Sequence, residues 1–455
     1  MSNAFADLPL SDALLEAVAG FDAPTAIQAA ALPSLLDGAD VLAQACTGSG
    51  KTVAFGLALL QRIAPQQLHP QALVLCPTRE LAEQVAGALR QLAKRLSNTR
   101  ITVLSGGRPL RLQRQALSRG TQVVVGTPGR VVDHLRRGDL DPAELKVLVL
   151  DEADRLLDMG FADEVGEVVA RTPRTRQTML FSATYPEAVA TLGGEVLRDP
   201  VVVRVDSQVA DDVLHQHILH CPANRRWETV ARLLRHHQPD SALVFCETRG
   251  DCERLTDFLQ SQGAAALAMH GNMEQRDRDD TWVQLANQSV QVVVATNVAA
   301  RGLDLDALTL VVIAELSPDP ASHIHRIGRT ARAGRRGLAV SLVAGDREAH
   351  RLARIEAHLG TRIAPHPPLP ASLPDFATPR YRTVLVLGGR SRKLRKGDLL
   401  GALVKDGGIP PAAIGTITLR QTTCAVAIEA PHAQAAVRYL RRGRVKKARV
   451  RAVLL

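Results

Sequence analysis

Apolar, mostly branched runs recur along the first part of the chain: "DVLAQA" (40–45), "ALVLCP" (72–77), "ITVLS" (101–105), "QVVVGTP" (122–128), "VLVLDEAD" (147–154) and "QTMLFSAT" (177–184). The runs are continuous rather than alternating, and helical stretches separate them, which predicts parallel strands covered on both faces. The rhythm restarts after about residue 213, in "ALVFC" (242–246), "AALAMHG" (265–271), "VQVVVATN" (290–297), "LTLVVIAE" (308–315) and "LAVSLV" (338–343). Two α/β domains in tandem follow, at 1–205 and 214–363, and the polar stretch "VRVDSQVADD" (203–212) marks a connector placed at 206–213. Next, "APHPPLPASLPDFATPR" (364–380) carries six prolines and predicts an extended, semi-rigid linker over 364–379. Residues 380–455 then read as strand, helix closed by Gly407, strand, strand, helix closed by Gly443, and strand. This βαββαβ order predicts a small α+β domain of ferredoxin-like or RRM type. In its last strand, "VKKARVRAVLL", period two sets Lys447, Arg449 and Arg451 on one face and Val450, Ala452 and Leu454 on the other.

Length and charge sharpen this division. A chain of 455 residues that is 46% apolar has material for about three domains. No apolar run approaches the roughly 18 residues of a membrane span, and "MSNAFADLPLSDALL" carries acids where a secretory signal has a basic region. A cytoplasmic protein with no membrane partner is expected. Cys46, Cys76, Cys221, Cys246, Cys252 and Cys424 show no CxxC pair or metal-ligand spacing and read as reduced thiols, mostly buried beside strands. From Arg380 onward there are 17 Lys and Arg against 3 Asp and Glu, a net +14, which leaves −4 for residues 1–379 of a chain that carries +10. The excess positive charge belongs to the last domain, where it suits an acidic partner such as nucleic acid.

The chemistry begins at "ACTGSGKT" (45–52), placed between a strand and a helix as a P-loop requires. Thr47, Gly48, Ser49 and Gly50 form the loop, and the two glycines let backbone N–H groups close around phosphate at a helix N-terminus. Lys51 reaches the β- and γ-phosphates of ATP, and Thr52 offers its hydroxyl to Mg²⁺. "VLVLDEAD" delivers Asp151 and Glu152 at the carboxyl end of a strand, where ligands bind in open α/β sheets. Asp151 suits hydrated Mg²⁺, and Glu152 suits deprotonation of the attacking water.

Together with "PTRELA" (77–82), "GG" (106–107), "TPGR" (127–130), "SAT" (182–184), "ARGLD" (300–304) and "HRIGRTAR" (325–332), these motifs resemble the DEAD-box RNA helicases over residues 5–345. The resemblance implies two RecA-like domains with ATP bound between them and local unwinding of RNA. It implies that Gln28 of "FDAPTAIQ" reads the adenine edge, that Thr25 stands beside the phosphate loop, and that Phe5 stacks on the base. Asp304 is implied on the ribose, Arg301 facing the nucleotide, and Arg329 and Arg332 as arginine fingers. Pro77, Thr78, Arg79, Gly106, Gly107, Thr127, Pro128, Gly129 and Arg130 are implied to grip an RNA backbone, and Ser182, Ala183 and Thr184 to link hydrolysis to unwinding.

There are departures. Asn297 stands where the family usually has Asp, Cys46 where a polar residue is more usual, and "TAR" where "TGR" is commoner. The Pro-rich linker and the last domain, with "GDLLGAL", resemble the bacterial DbpA subfamily, which implies anchoring to a hairpin of 23S ribosomal RNA and action in assembly of the 50S subunit. Only Tyr381 and Tyr439 are aromatic from Arg380 onward, so recognition by stacking on the sheet, as in an ordinary RRM, is not expected. A monomer is expected. Helicases without ribosomal selectivity, a DNA translocase and a non-catalytic RNA clamp remain as alternatives; intact Lys51, Glu152, Arg329 and Arg332 argue against the clamp, and DEAD with the Q motif argues for RNA.

Overall fold

The computed structural model describes residues 5–45, 48–205, 214–297, 308–331, 336–420, 422–445 and 449–455. In the first unit, β1 (Val41–Gln44), β2 (Ala72–Leu75), β3 (Ile101–Leu104), β4 (Val123–Gly126), β5 (Val147–Leu150), β6 (Gln177–Ser182) and β7 (Val201–Arg204) form one sheet. Its order is β3-β4-β2-β5-β6-β1-β7, and every pairing is parallel. Successive residues enter opposite layers: Val74 and Val149 pack into one core, while Leu73, Leu75, Leu148 and Leu150 pack into the other. Burial on both faces is why these strands read as continuous apolar runs. Val203 and Arg204, in the stretch taken for a connector, belong to β7, which pairs with β1.

The parallel arrangement brings all carboxyl ends to one edge. On one half of the sheet that edge carries the loop after β1, Asp151 after β5 and Ser182 at the end of β6. On the other half it carries Pro77 after β2, Gly106 after β3 and Thr127 after β4.

In the second unit, β8 (Leu214–His220), β9 (Ala242–Cys246), β10 (Ala266–Met269), β11 (Val292–Thr296), β12 (Leu310–Ile313), β13 (Gly337–Val343) and β14 (Ala364–Pro365) form a second parallel sheet, ordered β10-β11-β9-β12-β13-β8-β14. β14 lies in the Pro-rich stretch, so the first residues assigned to a linker are an edge strand, a place where proline is tolerated. The rest of that stretch is extended but not free. Arg232 and Arg235 of the helix Arg226–His237 donate to the carbonyls of Pro370, Leu373 and Pro374, Gln238 donates to that of Asp375, and Leu369 and Phe376 pack on the second core.

The same unit continues into an antiparallel sheet of β15 (Tyr381–Leu387), β16 (Ile414–Leu419), β17 (Cys424–Glu429) and β18 (Arg451–Leu454), ordered β16-β17-β15-β18, with helices at Lys396–Gly401 and Ala430–Arg442. The βαββαβ order and the α/β class of the whole chain are as expected. The first helix continues as a π-helical stretch, Ala402–Asp406, and Gly407 and Gly443 both have negative φ. A Cβ at Gly407 would lie 2.7 Å from the Leu403 carbonyl and 3.0 Å from the Tyr439 ring, and one at Gly443 would lie 2.8 Å from the same ring.

Alternation in the last strand separates buried Val450 and Ala452 from exposed Arg449 and Arg451. The outer face of this sheet is covered along part of its length. Leu385 and Ala425 pack on Val283 of the helix Gln275–Ala286, the Thr383 hydroxyl meets Asn287 and Ser289, and Arg420 binds Asp280 at 2.8 Å. This face, the RNA platform of an ordinary RRM, is instead a docking face for the second RecA-like domain.

Candidate nucleotide and RNA site

The phosphate loop is shaped before any ligand arrives. Gly48 and Gly50 take φ of 86° and 95°, the left-handed region that glycine enters without strain. Gly50 is also tightly enclosed, since a Cβ there would lie 2.4 Å from Nε2 of Gln28. Thr25 caps the helix Ala26–Asp37 in a capping box with Gln28. Its hydroxyl donates to the Ser49 carbonyl at 2.7 Å, and Gln28 Nε2 donates to the Gly50 carbonyl at 3.1 Å. The Q motif therefore pins the loop, and both ends of the Gln28 amide are engaged with protein because its Oε1 accepts from Thr25 N–H.

Lys51 is buried, and its ammonium donates to the Ala45 carbonyl at 2.9 Å. Asp151 is buried nearby; burial pushes its carboxyl up to about 7, against the pull of the Lys51 ammonium. A carboxylate that desolvation disfavours fits a cation better than it fits water. Glu152 sits at φ 51°, uncommon for a residue with a side chain, and its carboxylate pairs with Arg155 at 2.9 Å.

Asp154 accepts from both N–H and hydroxyl of Thr184, at 2.9 and 2.8 Å, and Ser182 Oγ accepts from Asp154 N–H. The end of β5 is thus tied to the end of β6. Sequence reasoning stopped at Asp151 and Glu152 and missed both Asp154 and Arg155; "DEADR" starting directly after a strand was the available signal. Burial around these acids also pushes the Cys76 thiol up, with Asp151 and Glu152 adding to the effect.

Phe5, expected to stack on the base, lies inward. It is 7% exposed and packs in the first core, so its ring is not offered to a base. Its centroid lies 6.3 Å from that of Phe21, which is 49% exposed and stands four residues before Thr25.

On the other half of the edge, Thr78 caps the helix Arg79–Leu92 by accepting from Leu81 N–H. The Arg79 guanidinium lies across both glycines after β3: a Cβ on Gly107 would stand 2.1 Å from Nη1, and one on Gly106 would stand 3.1 Å from Nη2. Arg79, Gly106 and Gly107 therefore form one surface, while Pro77 and Thr78, the two residues before Arg79, are buried. Beside it, Thr127 and Pro128 start the helix Pro128–Arg136, Gly129 leaves open space, and Arg130 reaches the Arg108 carbonyl at 3.2 Å.

In the second unit Arg329 follows the helix Pro320–Ile327, with Nε donating to the His325 carbonyl. Thr47, Arg301, Asp304, Arg332 and Lys447 lie outside the described residues.

A paired parallel-sheet core with a P-loop, a strand-end acidic pair and an attached basic α+β domain defines a nucleic-acid-dependent ATPase. Comparisons with known proteins narrow the class. Residues 25–192 match the DEAD/DEAH box helicase family, 225–334 the helicase conserved C-terminal domain, and 383–453 the DbpA RNA binding domain. The chain is 47% identical to ATP-dependent RNA helicase DbpA of Escherichia coli K12, over 96% of this chain and 95% of that one. It is 45% identical to ATP-dependent RNA helicase DeaD of Haemophilus influenzae over 72% of this chain and 54% of that protein. Among solved structures, S. cerevisiae Dbp5 bound to RNA and ADP BeF3 is similar with a TM-score of 0.72 and 30% identity, over 80% of this chain and 96% of that one. The chain belongs to the DEAD-box ATP-dependent RNA helicases, in the group typified by DbpA. It is an ATP-using, RNA-binding enzyme, and no helix among the described residues is long and apolar enough to cross a membrane.

Proposed function

We propose that this helicase works in the cytoplasm as a monomer, anchored by residues 380–455 to a hairpin of 23S ribosomal RNA, during assembly of the 50S subunit. The observation that carries this reading is that the likeness to DbpA runs through the third domain as well as the core, at 47% identity over 96% of the chain.

Within the core, Lys51 and the N–H groups of residues 47–52 hold the phosphates, and Thr52 and Asp151 would hold Mg²⁺, partly through water. When bound, the metal would supply charge neutralisation to the phosphates. Glu152 exchanges Arg155 for the attacking water and takes its proton. Arg329 and Arg332 stabilise charge on the transferring group, while Arg301 and Asp304 face nucleotide and ribose. Gln28 exchanges its Gly50 contact for the adenine edge, and the exposed Phe21 ring takes the stacking role that the buried Phe5 cannot. Pro77, Thr78, Arg79, Gly106 and Gly107, with Thr127, Pro128, Gly129 and Arg130, grip RNA backbone through main-chain N–H groups and a guanidinium, without reading bases. Ser182, Ala183 and Thr184 couple hydrolysis to unwinding through Asp154. In the third domain Lys447, Arg449 and Arg451 face the hairpin.

The test is RNA-stimulated ATPase of the full chain with fragments of 23S RNA, with 16S RNA and with a homopolymer, together with crosslinking to cellular RNA. Saturation at markedly lower concentration by one 23S hairpin supports the reading. Equal stimulation by all RNAs overturns it in favour of a general RNA-remodelling helicase.

A further inference from the structure

The largest fully buried side chain among the described residues of the second domain is a charged one. Arg326, on the helix Pro320–Ile327, is 2% exposed. Three adjacent strands each bring one oxygen to it: Nε donates to Asn297 Oδ1 beyond β11 at 2.6 Å, Nη2 to the Glu247 carboxylate beyond β9, and Nη1 to the Glu315 carbonyl beyond β12 at 2.6 Å. The guanidinium also lies over the Phe245 ring, 5.4 Å from its centroid.

A buried guanidinium needs a negative partner, because leaving it unpaired costs far more than pairing it returns. Asn297 supplies a dipole only. The nearby Glu315 carboxylate is committed to Arg226 at 3.2 Å and to the Glu247 N–H at 3.3 Å. Glu247 is thus the formal counter-charge bonded to Arg326 among the described residues. This bears on the departure at 297, where the family's usual acid is missing.

We infer that Glu247 carries the counter-ion function for Arg326 that position 297 has lost, and that it acts as a positioning residue for ATP hydrolysis. Arg326 holds two segments at once. One is the turn leading to Arg329, three residues on; the other is the chain at Asn297, just past the end of β11. An unbalanced Arg326 shifts both, and displacements of about 1 Å near a reacting group cost up to roughly a hundredfold in rate. The inference rests on the proposed role of Arg329.

The test is a charge exchange, read in the full chain by thermal unfolding, by ADP affinity, and by kcat and KM for ATP at saturating RNA well below the unfolding midpoint. E247Q is expected to lower Tm by about 5 °C or more and kcat by about tenfold or more, with ADP affinity little changed. E247Q/N297D, which restores one carboxylate to the same guanidinium, is expected to recover most of both losses. N297D alone crowds two carboxylates on one cation and gives a smaller loss than E247Q. Should E247Q not fold, recovery of a folded, active E247Q/N297D supports the inference, and its failure to fold overturns it. Wild-type kcat in E247Q, or a double variant no better than E247Q, also overturns it. A lower Tm with unchanged kcat reduces Glu247 to a structural ion pair and overturns the positioning role. R329A serves as control: if it hydrolyses ATP normally, the assigned role of Arg329 fails, while the Tm arm still judges the counter-ion.

Discussion

At Glu152 the resting site holds the proposed base in reserve. The carboxylate is buried, paired with Arg155 and carried on left-handed backbone, so the uncommon φ belongs to the residue proposed to take the proton. Gln at this position keeps an oxygen that accepts from Arg155 and keeps the backbone, but removes the basic group. E152Q is therefore expected to bind ATP and RNA much as the parent does, while kcat for ATP falls by about a hundredfold or more. Single-turnover hydrolysis alongside nucleotide and RNA titrations checks this, and an unchanged kcat removes Glu152 from the proton transfer. The acid pair was legible in "VLVLDEAD" because a strand-end position is a pattern. Phe5 and Phe21 were not separable in the same way: Phe21 opens "FDAPTAIQ" and Phe5 lies upstream of it, but only tertiary packing decides which ring is covered.

Elements show how the phosphate loop and the Pro-rich strap are held. The strap begins with an edge strand and an imidazole pair, His366 with His237 on the helix Arg226–His237, their Nε2 atoms 3.0 Å apart. His366 Nδ1 faces the Pro367 carbonyl at 2.6 Å and so must donate. In the neutral ring its Nε2 is then a lone pair, and His237 Nε2–H is the donor between them. Burial, with His236, His366 and His217 nearby, lowers His237 to about 4 from an ordinary 6.5, and burial lowers His366 as well. A histidine held below its unfolded value favours the fold when neutral. The unfolded chain takes up protons first, so this contribution is complete above about pH 6.5 and is lost as pH falls toward about 4. Thermal unfolding across that range is expected to show a shallower decline in H237N than in the parent; parallel curves would show that the pair contributes nothing. The six prolines announced an extended segment, yet nothing in them announced that it would be docked, because its anchors are single arginines on a distant helix.

For the whole molecule, the third domain's sheet face is what sequence pattern described least. Leu385 and Ala425 read as ordinary outer-face residues, and Thr383, Asn287 and Ser289 are single polar positions without periodicity. Together they make a contact in which Arg420 is bound to Asp280 and to the Asp279 carbonyl. The scarcity of aromatics on this sheet gains a physical meaning: the face meets protein, and stacking rings have no base to receive. Reversing the charge opposite Arg420 while placing a carboxylate beside Leu385, in D280R/V283D, is expected to free this face. The loop at Arg420 then becomes cleavable by trypsin at least about tenfold faster at unchanged core ATPase; parent-like cleavage would mean the contact does not hold the domain. The strap between these bodies has a consequence of another kind. Arg232, Arg235 and Gln238 hold it through the main-chain oxygens of Pro370, Leu373, Pro374 and Asp375, and a carbonyl is the same whatever side chain follows it. Selection acting through those contacts sees the path of the backbone and its length, not its spelling. Substitutions in the strap away from His366, Leu369, Asp375 and Phe376, whose side chains are engaged, are therefore expected to leave these carbonyl clamps intact.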